Sequence, residues 1–326
     1  MDRGPVVLGN SQAAGTAVIR LNSNSPADGA LQFGSSFDIA NPINLTSVNA
    51  VEKIGVAGGQ TNGITRRVYG TKGLDKVGAG TLVLSGYNTY SGATNVSAGT
   101  LLINGNQASG TGAVTVAAGA TLGGTGRTGG TVSVASGGTL TAGAVSTVGA
   151  FTTSSVTLLD GSTFSFDINS AATPGPASAD LLTVLGPLSL TGTTSLALTN
   201  LDTFLTPFAQ GTTLTLMNYT GGWNGGLFSF GGTSLANNAE FSAGGTLWRI
   251  VYDGVSGGIN VPGGQTSGGF LNVVAVPEPS GWLLAAIGSL LGAFGWRRTA
   301  RRRGSYRPSP DVVMGSELVR RYGRRG

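Results

Sequence analysis

Few side chains in this sequence of 326 residues could support catalysis or bind a metal ion. The chain has no Cys and no His, which excludes disulfides, thiol nucleophiles, Ser-His triads and the usual zinc and copper sites. Asp160, Asp167, Asp180 and Asp253 lie outside the spacing of the common calcium-binding loops, and we interpret them as turn or cap residues. The sequence therefore predicts no catalytic residue, no metal site and no cofactor.

Three aromatic side chains offer a different kind of chemistry. Trp223, Trp248 and Tyr252 could stack on the pyranose rings of an envelope polysaccharide, because aromatic faces pack well against flat apolar surfaces. Packing inside a core is the alternative interpretation, since large aromatic residues are on average strongly buried.

The basic charge of the chain is confined to its C-terminal end. Residues 297–326 contain ten Arg against two acidic residues, a net charge of +8, whereas the other 296 residues carry nine basic and twelve acidic groups, a net charge of −3. The body lacks a basic stripe, so we predict no nucleic-acid partner. Arg127 is the only basic residue within 77–248, which argues against the clustered acids and bases that a polysaccharide lyase would need. We therefore expect a protein that is not an enzyme.

The elements that position these residues are indicated by composition and by an internal repeat. The chain has 57 Gly and only 10% charged residues, which favours short strands joined by tight turns. A leucine recurs at intervals of 19, 21 and 18 residues, at positions Leu82, Leu101, Leu122 and Leu140. A V-x-x-G sequence precedes the last three of them, at Val96, Val116 and Val134, and Phe164 takes the leucine position in the next element.

This period predicts an all-β fold, a parallel β-helix in which each coil stacks its inward Leu and Val on those of the next. A C-terminal β-sandwich-like or capping β-unit and a single C-terminal transmembrane helix complete the expected architecture. We expect the following segments: irregular early coils in 1–75, the β-helical repeat in 76–165, a linker in 166–180, the C-terminal β-unit in 181–260 and a flexible linker in 261–275.

Residues 281–296 form an apolar stretch that contrasts with the rest of the chain. The stretch is uncharged and is bracketed by Trp282 and Trp296, as interface aromatics bracket a membrane span. It is followed by five arginines, Arg297, Arg298, Arg301, Arg302 and Arg303. These arginines predict a transmembrane helix whose C-terminal end stays in the cytoplasm, with the body on the far side of the membrane.

The repeat also resembles a known family. Residues 76–105 read KVGAGTLVLSGYNTYSGATNVSAGTLLING, and from Lys76 to Leu101 they follow the pattern K-x-G-x-G-T-L-x-L-S-G-x-N-T-Y-x-G-x-T-x-V-x-x-G-T-L. This pattern is similar to the autotransporter-associated β-strand repeat of exported bacterial proteins. The resemblance implies a β-helical surface structure without catalytic residues.

Residues 276–303 resemble a second family, the PEP-CTERM sorting signal that exosortases process in Gram-negative envelopes. Pro277, Glu278 and Pro279 match its triplet, and 281–296 match its helix. The resemblance implies a temporary anchor and cleavage near the triplet. Residues 304–326 continue beyond the arginines, and we expect a basic, disordered tail there.

Together these features predict a non-catalytic, exported β-solenoid protein of the cell surface or extracellular matrix. We expect it in the envelope of a Gram-negative bacterium, anchored by 281–296 and then exposed or secreted. Its expected partners are an exosortase-type enzyme, the inner membrane and envelope polysaccharide. A carbohydrate-binding adhesin and a plain single-pass membrane protein remain alternatives. The first residues, MDRGPVVLGNSQAAG, lack the apolar run of a signal peptide, so we expect the natural start upstream.

Overall fold

The computed structural model describes residues 5–21, 30–46, 51–262 and 268–277. These residues form short β-strands and one 3-10 turn, Pro176–Ser178. The strands in chain order are β1 (Val6–Leu8), β2 (Ile19–Leu21), β3 (Leu31–Phe33), β4 (Asp38–Ile39), β5 (Ile43–Leu45), β6 (Val51–Gly55), β7 (Thr61–Ile64), β8 (Val68–Gly70), β9 (Gly73–Val77), β10 (Thr81–Leu84), β11 (Thr94–Val96), β12 (Thr100–Ile103), β13 (Asn106–Gln107), β14 (Val114–Val116), β15 (Thr121–Gly123), β16 (Arg127–Thr128), β17 (Thr131–Val134), β18 (Thr139–Thr141), β19 (Ala150–Thr153), β20 (Ser155–Leu158), β21 (Thr163–Ile168), β22 (Leu181–Val184), β23 (Leu188–Leu190), β24 (Thr194–Asn200), β25 (Thr213–Tyr219), β26 (Phe228–Phe230), β27 (Thr233–Ser234), β28 (Glu240–Ala243), β29 (Thr246–Gly254) and β30 (Gly269–Ala275).

The strands stack coil on coil, so that neighbours in a sheet come from successive coils. The first sheet has the order β1-β3-β6-β9-β11-β14-β17-β20-β23, and the second has the order β27-β26-β24-β21-β18-β15-β12-β10-β7-β4. The third has the order β13-β16-β19-β22-β25-β30-β29-β28, and a small sheet has the order β2-β5-β8. Where both partners are strands between β1 and β26, the pairing is parallel. The prediction of an all-β, solenoid-like stack of parallel strands is therefore confirmed.

The leucine row of the sequence is a continuous stack in the second sheet. Leu82 pairs with Leu101, Leu101 with Leu122, Leu122 with Leu140, and Leu140 with Phe164. Each of these side chains is fully buried, and burial of one such side chain stabilises a fold by about 1.5–3 kcal/mol. The predicted inward stacking of the leucines, with Phe164 in the leucine position, is confirmed.

The valine row lies in the first sheet and contains an unexpected residue. Val96, Val116 and Val134 are successive partners in adjacent coils, but the partner of Val96 in the preceding coil is Lys76. The Lys76 side chain is fully buried. Its Nζ donates hydrogen bonds to the carbonyl oxygens of Gly78 at 2.7 Å and of Val77 and Ala98 at 3.1 Å. Those three bonds offset part of the cost of removing water from the amine.

Glycine is required where one coil turns against the next. Gly78 has φ = +78°, and a Cβ at this position would collide with the carbonyl oxygen of Val56 in the preceding coil. Its own carbonyl accepts the shortest of the three Lys76 bonds. The turn therefore needs both a left-handed backbone and the absence of a side chain.

The C-terminal strands differ from the predicted segments. Residues 181–200 continue the parallel coils as β22, β23 and β24, so the architecture does not change at residue 181. The change comes at β25, which pairs in parallel with β22 and antiparallel with β30. Strands β30, β29 and β28 then extend the same third sheet by antiparallel pairing. These strands occupy the end of the solenoid sheet, as a capping unit would.

Two stretches expected to be linkers carry ordered structure. In 166–180, Phe166, Asp167 and Ile168 belong to β21 and are buried, and Asp180 is fully buried. In 261–275, residues 269–275 form β30, which has partners on both sides. A flexible linker over 269–275 is therefore wrong. The reason is that β30 fills a position between β25 and β29 that only long-range pairing creates.

Candidate functional site

The sorting residues predicted from the sequence lie at the boundary of the described part of the chain. Pro277 is exposed and directly follows Val276, whose N–H donates to the carbonyl of Leu247 at 2.9 Å. Glu278, Pro279, the apolar stretch 281–296 and the five arginines 297, 298, 301, 302 and 303 lie outside the described residues. Among the residues that are described, no helix has the length and apolar character needed to cross a membrane.

Two of the three candidate sugar-stacking residues are core residues. Trp248 is fully buried, packs against Phe208 with ring centroids 5.4 Å apart, and donates its indole N–H to the carbonyl of Ala243 at 3.1 Å. Tyr252 is 5% exposed. Its hydroxyl donates to the carbonyl of Leu235 at 3.0 Å and accepts the N–H of Phe228 at 2.8 Å. Burial raises the pKa of Tyr252 to about 12. Neither ring presents a face to solvent, so packing explains both residues.

Trp223 is the member of this group that reaches the surface. Its segment runs beside β23, because Trp223 forms a parallel bridge with Leu188, and Asn224 bonds both the N–H and the carbonyl of Leu190. One face of the half-buried indole lies on Tyr252, with centroids 5.2 Å apart and planes inclined by 2°. Buried Tyr252 thus supports Trp223 in a fixed orientation.

Trp223 lines a cleft of about 410 Å³ formed by three chain segments. These are residues 219–223, which begin with the last residue of β25, then Asp253 near the end of β29, and Gly268 with Gly269 at the start of β30. The volume is within the range of about 300–1,000 Å³ that is typical of small-molecule sites. Four of the eight lining residues are glycines, so backbone groups form much of the wall.

Asp253 supplies the charge of the cleft. The Tyr219 hydroxyl donates to its Oδ1 at 2.9 Å, whereas Oδ2 receives no hydrogen bond from the described part of the chain. Burial of the Tyr219 ring, together with the neighbouring Asp253 carboxylate, raises the pKa of Tyr219, so the phenol stays a donor. Asp253 is exposed and has φ = +53°, a left-handed conformation that Asp tolerates better than most residues.

Sequence reasoning missed Tyr219 and Asp253 as partners. They are separated by 34 positions, and the only local signal is the Asp253-Gly254 pair, which is typical of turns. The cleft exists because β25, β29 and β30 lie side by side in the third sheet.

Two buried ionisable groups outside the cleft, Asp180 and Lys76, bind backbone groups. Asp180 is fully buried, and its Oδ1 and Oδ2 accept the N–H groups of Gly149 at 2.7 Å and Asp167 at 3.0 Å. Burial raises the pKa of Asp180 to about 8 and lowers the pKa of Lys76 to about 8. Within the described ranges, no three acidic side chains converge as a group that could hold a metal ion.

Comparison with known proteins identifies two motifs in the chain. Residues 74–103 match the passenger-associated-transport-repeat family, and residues 275–302 match the PEP-CTERM protein-sorting motif. A stretch of 128 residues is 40% identical to the adhesin BmaC autotransporter of Brucella suis biovar 1 (strain 1330). That stretch is 39% of this chain, and the match spans only 4% of the relative's length. The described strands thus contain a passenger-type repeat, and the chain continues directly into a PEP-CTERM sorting motif.

Proposed function

We propose that this chain is an exported, non-catalytic β-solenoid protein of the cell surface or extracellular matrix. Residues 281–296 hold it in the inner membrane, and an exosortase-type enzyme cleaves near Pro277, Glu278 and Pro279 to release the body. The repeat match at 74–103 and the sorting match at 275–302 support this assignment, as does the similarity to an adhesin.

One structural observation carries the proposal. Among the described residues, the last strand is β30, which ends at Ala275, and the last backbone hydrogen bond is donated by the N–H of Val276. Ala275 and Val276 are buried, whereas Pro277 is exposed. Cleavage at or after Pro277 therefore leaves every described strand and every described buried residue in the body. The strand β30 thus ends just ahead of the sorting triplet, and a cut at the triplet keeps this strand in the product.

The assignment to a non-enzyme is supported by the state of the charged groups. Lys76 and Asp180 are fully buried, and backbone groups occupy their polar atoms. These polar atoms bind backbone groups of the coils and do not face a substrate. The expected role is attachment, in which the stacked coils present a stiff surface to envelope polysaccharide or to other cells.

Intact mass of the protein from the native envelope and from the medium tests this proposal. We expect a mature C-terminus near Pro277–Pro279. Simultaneous replacement of Pro277, Glu278 and Pro279 by Ala should leave the full-length chain in the membrane fraction. The matched control, Pro262→Ala, lies outside the triplet and should be processed normally.

A full-length chain that keeps Arg303 and the tail to Gly326 in the membrane fraction would refute processing. It would leave the alternative of a single-pass anchored surface protein.

A further inference from the structure

From the geometry of the cleft we infer that it is a binding subsite for a neutral pyranose unit of a glycan. This inference rests on the proposed surface role, because a surface protein meets glycans, but it concerns a different part of the chain from the sorting motif. Trp223 stacks on the C–H face of the sugar, and Asp253 accepts hydrogen bonds from sugar hydroxyls.

Trp223 fits this role because it is both accessible and fixed. Tyr252 covers one face of its indole ring, with the ring centroids 5.2 Å apart, and the half-buried Trp223 is one of the residues that line the cleft. Tyr252 is itself held by hydrogen bonds at both its donor and its acceptor site. A ring that is already immobilised loses little entropy when a ligand packs on it.

Asp253 gives the subsite its polar specificity. Tyr219 holds its Oδ1, and this bond orients the carboxylate so that Oδ2 remains available within the described part of the cleft. A carboxylate accepts hydrogen bonds from hydroxyl groups more strongly than a neutral acceptor does. Because Asp253 is the one charged residue among the eight that line the cleft, an anionic sugar would be repelled and a neutral one accepted.

The glycines leave room for the ligand, and one of them can be substituted to block the site. Gly222 lines the cleft, and a Cβ at this position would meet nothing within 4 Å. Its carbonyl accepts the N–H of Leu188 at 2.9 Å, a bond that does not depend on the side chain. Gly222→Phe should therefore fill the cleft without disturbing the coil.

The test is calorimetric titration of the full chain, in a detergent without a sugar headgroup, with methyl glucoside, methyl mannoside and methyl galactoside. Methyl glucuronide serves as the anionic probe. We expect at least one neutral glycoside to bind and the glucuronide to bind at least about tenfold more weakly. Gly222→Phe should abolish binding. Its matched control is Gly9→Phe, at a second glycine whose Cβ would meet nothing within 4 Å, and binding should be unchanged in that variant.

Two further variants separate the roles of the ring and the carboxylate. Asp253→Asn keeps a residue that tolerates positive φ and an acceptor for Tyr219, and the loss of charge should weaken binding by about tenfold. Trp223→Ala should weaken it by at least as much, and Phe204→Ala, which removes a ring that is 89% exposed, should leave it unchanged.

Absence of binding by all three neutral glycosides would overturn the inference, and so would binding that persists in Gly222→Phe. If that variant does not fold, as judged by circular dichroism, unchanged affinity in Asp253→Asn and Trp223→Ala would overturn it equally. None of these results depends on where the C-terminus is cleaved, so this inference and the proposed sorting can fail separately.

Discussion

Asp180 should make the stability of the body depend on pH in an unusual direction. Its side chain is fully buried between two backbone N–H donors, those of Gly149 and Asp167. Burial raises its pKa to about 8, and the neighbouring Asp167 carboxylate acts in the same direction. The two backbone bonds favour the ionised form but do not outweigh burial.

The direction of this pH dependence follows from the number of protons that the folded and unfolded states bind. In the unfolded chain the carboxyl has an ordinary pKa near 3.9, so between about pH 4 and pH 8 the folded state holds a proton that the unfolded state has lost. This contribution to stability is fully present below pH 4 and is lost as pH rises through 8. Each pKa unit corresponds to about 1.4 kcal/mol, so the full loss is of the order of 5 kcal/mol. Burial also raises the pKa of Asp167, which adds in the same direction.

Asp180→Asn tests this reasoning, because Asn stays neutral at every pH. Its amide places N–H groups against one of the two backbone donors, and a buried N–H without an acceptor costs about 1–3 kcal/mol. The variant should therefore be less stable than the parent below pH 4, where the parent carboxyl is protonated in both states, and more stable at pH 9. The assay is urea denaturation of the full chain in detergent, followed by far-UV circular dichroism.

Asp160→Asn is the matched control for that experiment. Asp160 is exposed, and its Oδ1 accepts the N–H of Thr193 at 2.6 Å, so it makes a similar bond without burial. Its replacement shows what the same Asp-to-Asn change does to the free energy of unfolding at a site that is not buried. If Asp180→Asn and the parent show the same slope between pH 5 and pH 9, the account of Asp180 is refuted.

Three further substitutions test the coils, with urea denaturation as the measurement. The free energy of unfolding of the parent should rise by about 3 kcal/mol above pH 8, because the Lys76 amine loses its proton near pH 8 in the folded state and near pH 10.5 in the unfolded state. Lys76→Met should abolish this rise. A rise that persists in the variant would contradict its assignment to Lys76. Leu122→Ala should lower the free energy of unfolding by about 2–5 kcal/mol, whereas Leu159→Ala, at an exposed leucine, should lower it by about 0.5 kcal/mol or less. Equal losses in the two variants would contradict the burial of Leu122 in the stacked leucine row. Gly78→Ala should lower the free energy of unfolding by more than about 1 kcal/mol, because the position has a positive φ and its Cβ would collide with the neighbouring coil. Gly9→Ala should leave the free energy of unfolding nearly unchanged.

The coil architecture could be predicted because the spacing of apolar residues along the sequence indicates the length of each coil. One inward position per coil must be apolar, and residues separated by 18 to 21 positions then become direct neighbours in a sheet. The same rule could not predict the polar residues in these rows. Asn62 precedes Leu82 in the leucine row and donates its amide to the carbonyls of Ser35 and Phe37 at 2.8 and 2.9 Å. Its partners belong to the preceding coil, so its sequence neighbours do not reveal them.

The cleft could be predicted only in part. Trp223 was a candidate from residue type alone, but residue type could not separate it from Trp248, which is buried by Phe208. Exposure depends on the side of the sheet that each residue faces, and antiparallel pairing at the end of the solenoid decides this. Burial alternates along β29 as far as Asp253, so a period-2 pattern places Asp253 on the exposed side. The pattern does not reveal the register shift between Val251 and Gly254 or the contact with Tyr219, because both depend on pairing with distant strands.

The position of β30 connects the sorting motif with the cleft. Gly268 and Gly269 form part of the cleft wall, and β30 ends only six residues later, at Ala275. A cut within or ahead of β30 would remove part or all of its pairing with β25 and β29, and a cut ahead of it would also remove buried residues such as Phe270 and Leu271. We therefore expect the released body to end at or after Val276 and to keep glycoside affinity equal to that of the full chain. Mass spectrometry and titration of the released species check both points. A folded, released body that ends before Ala275 would show that β30 is dispensable and would contradict this account of the junction.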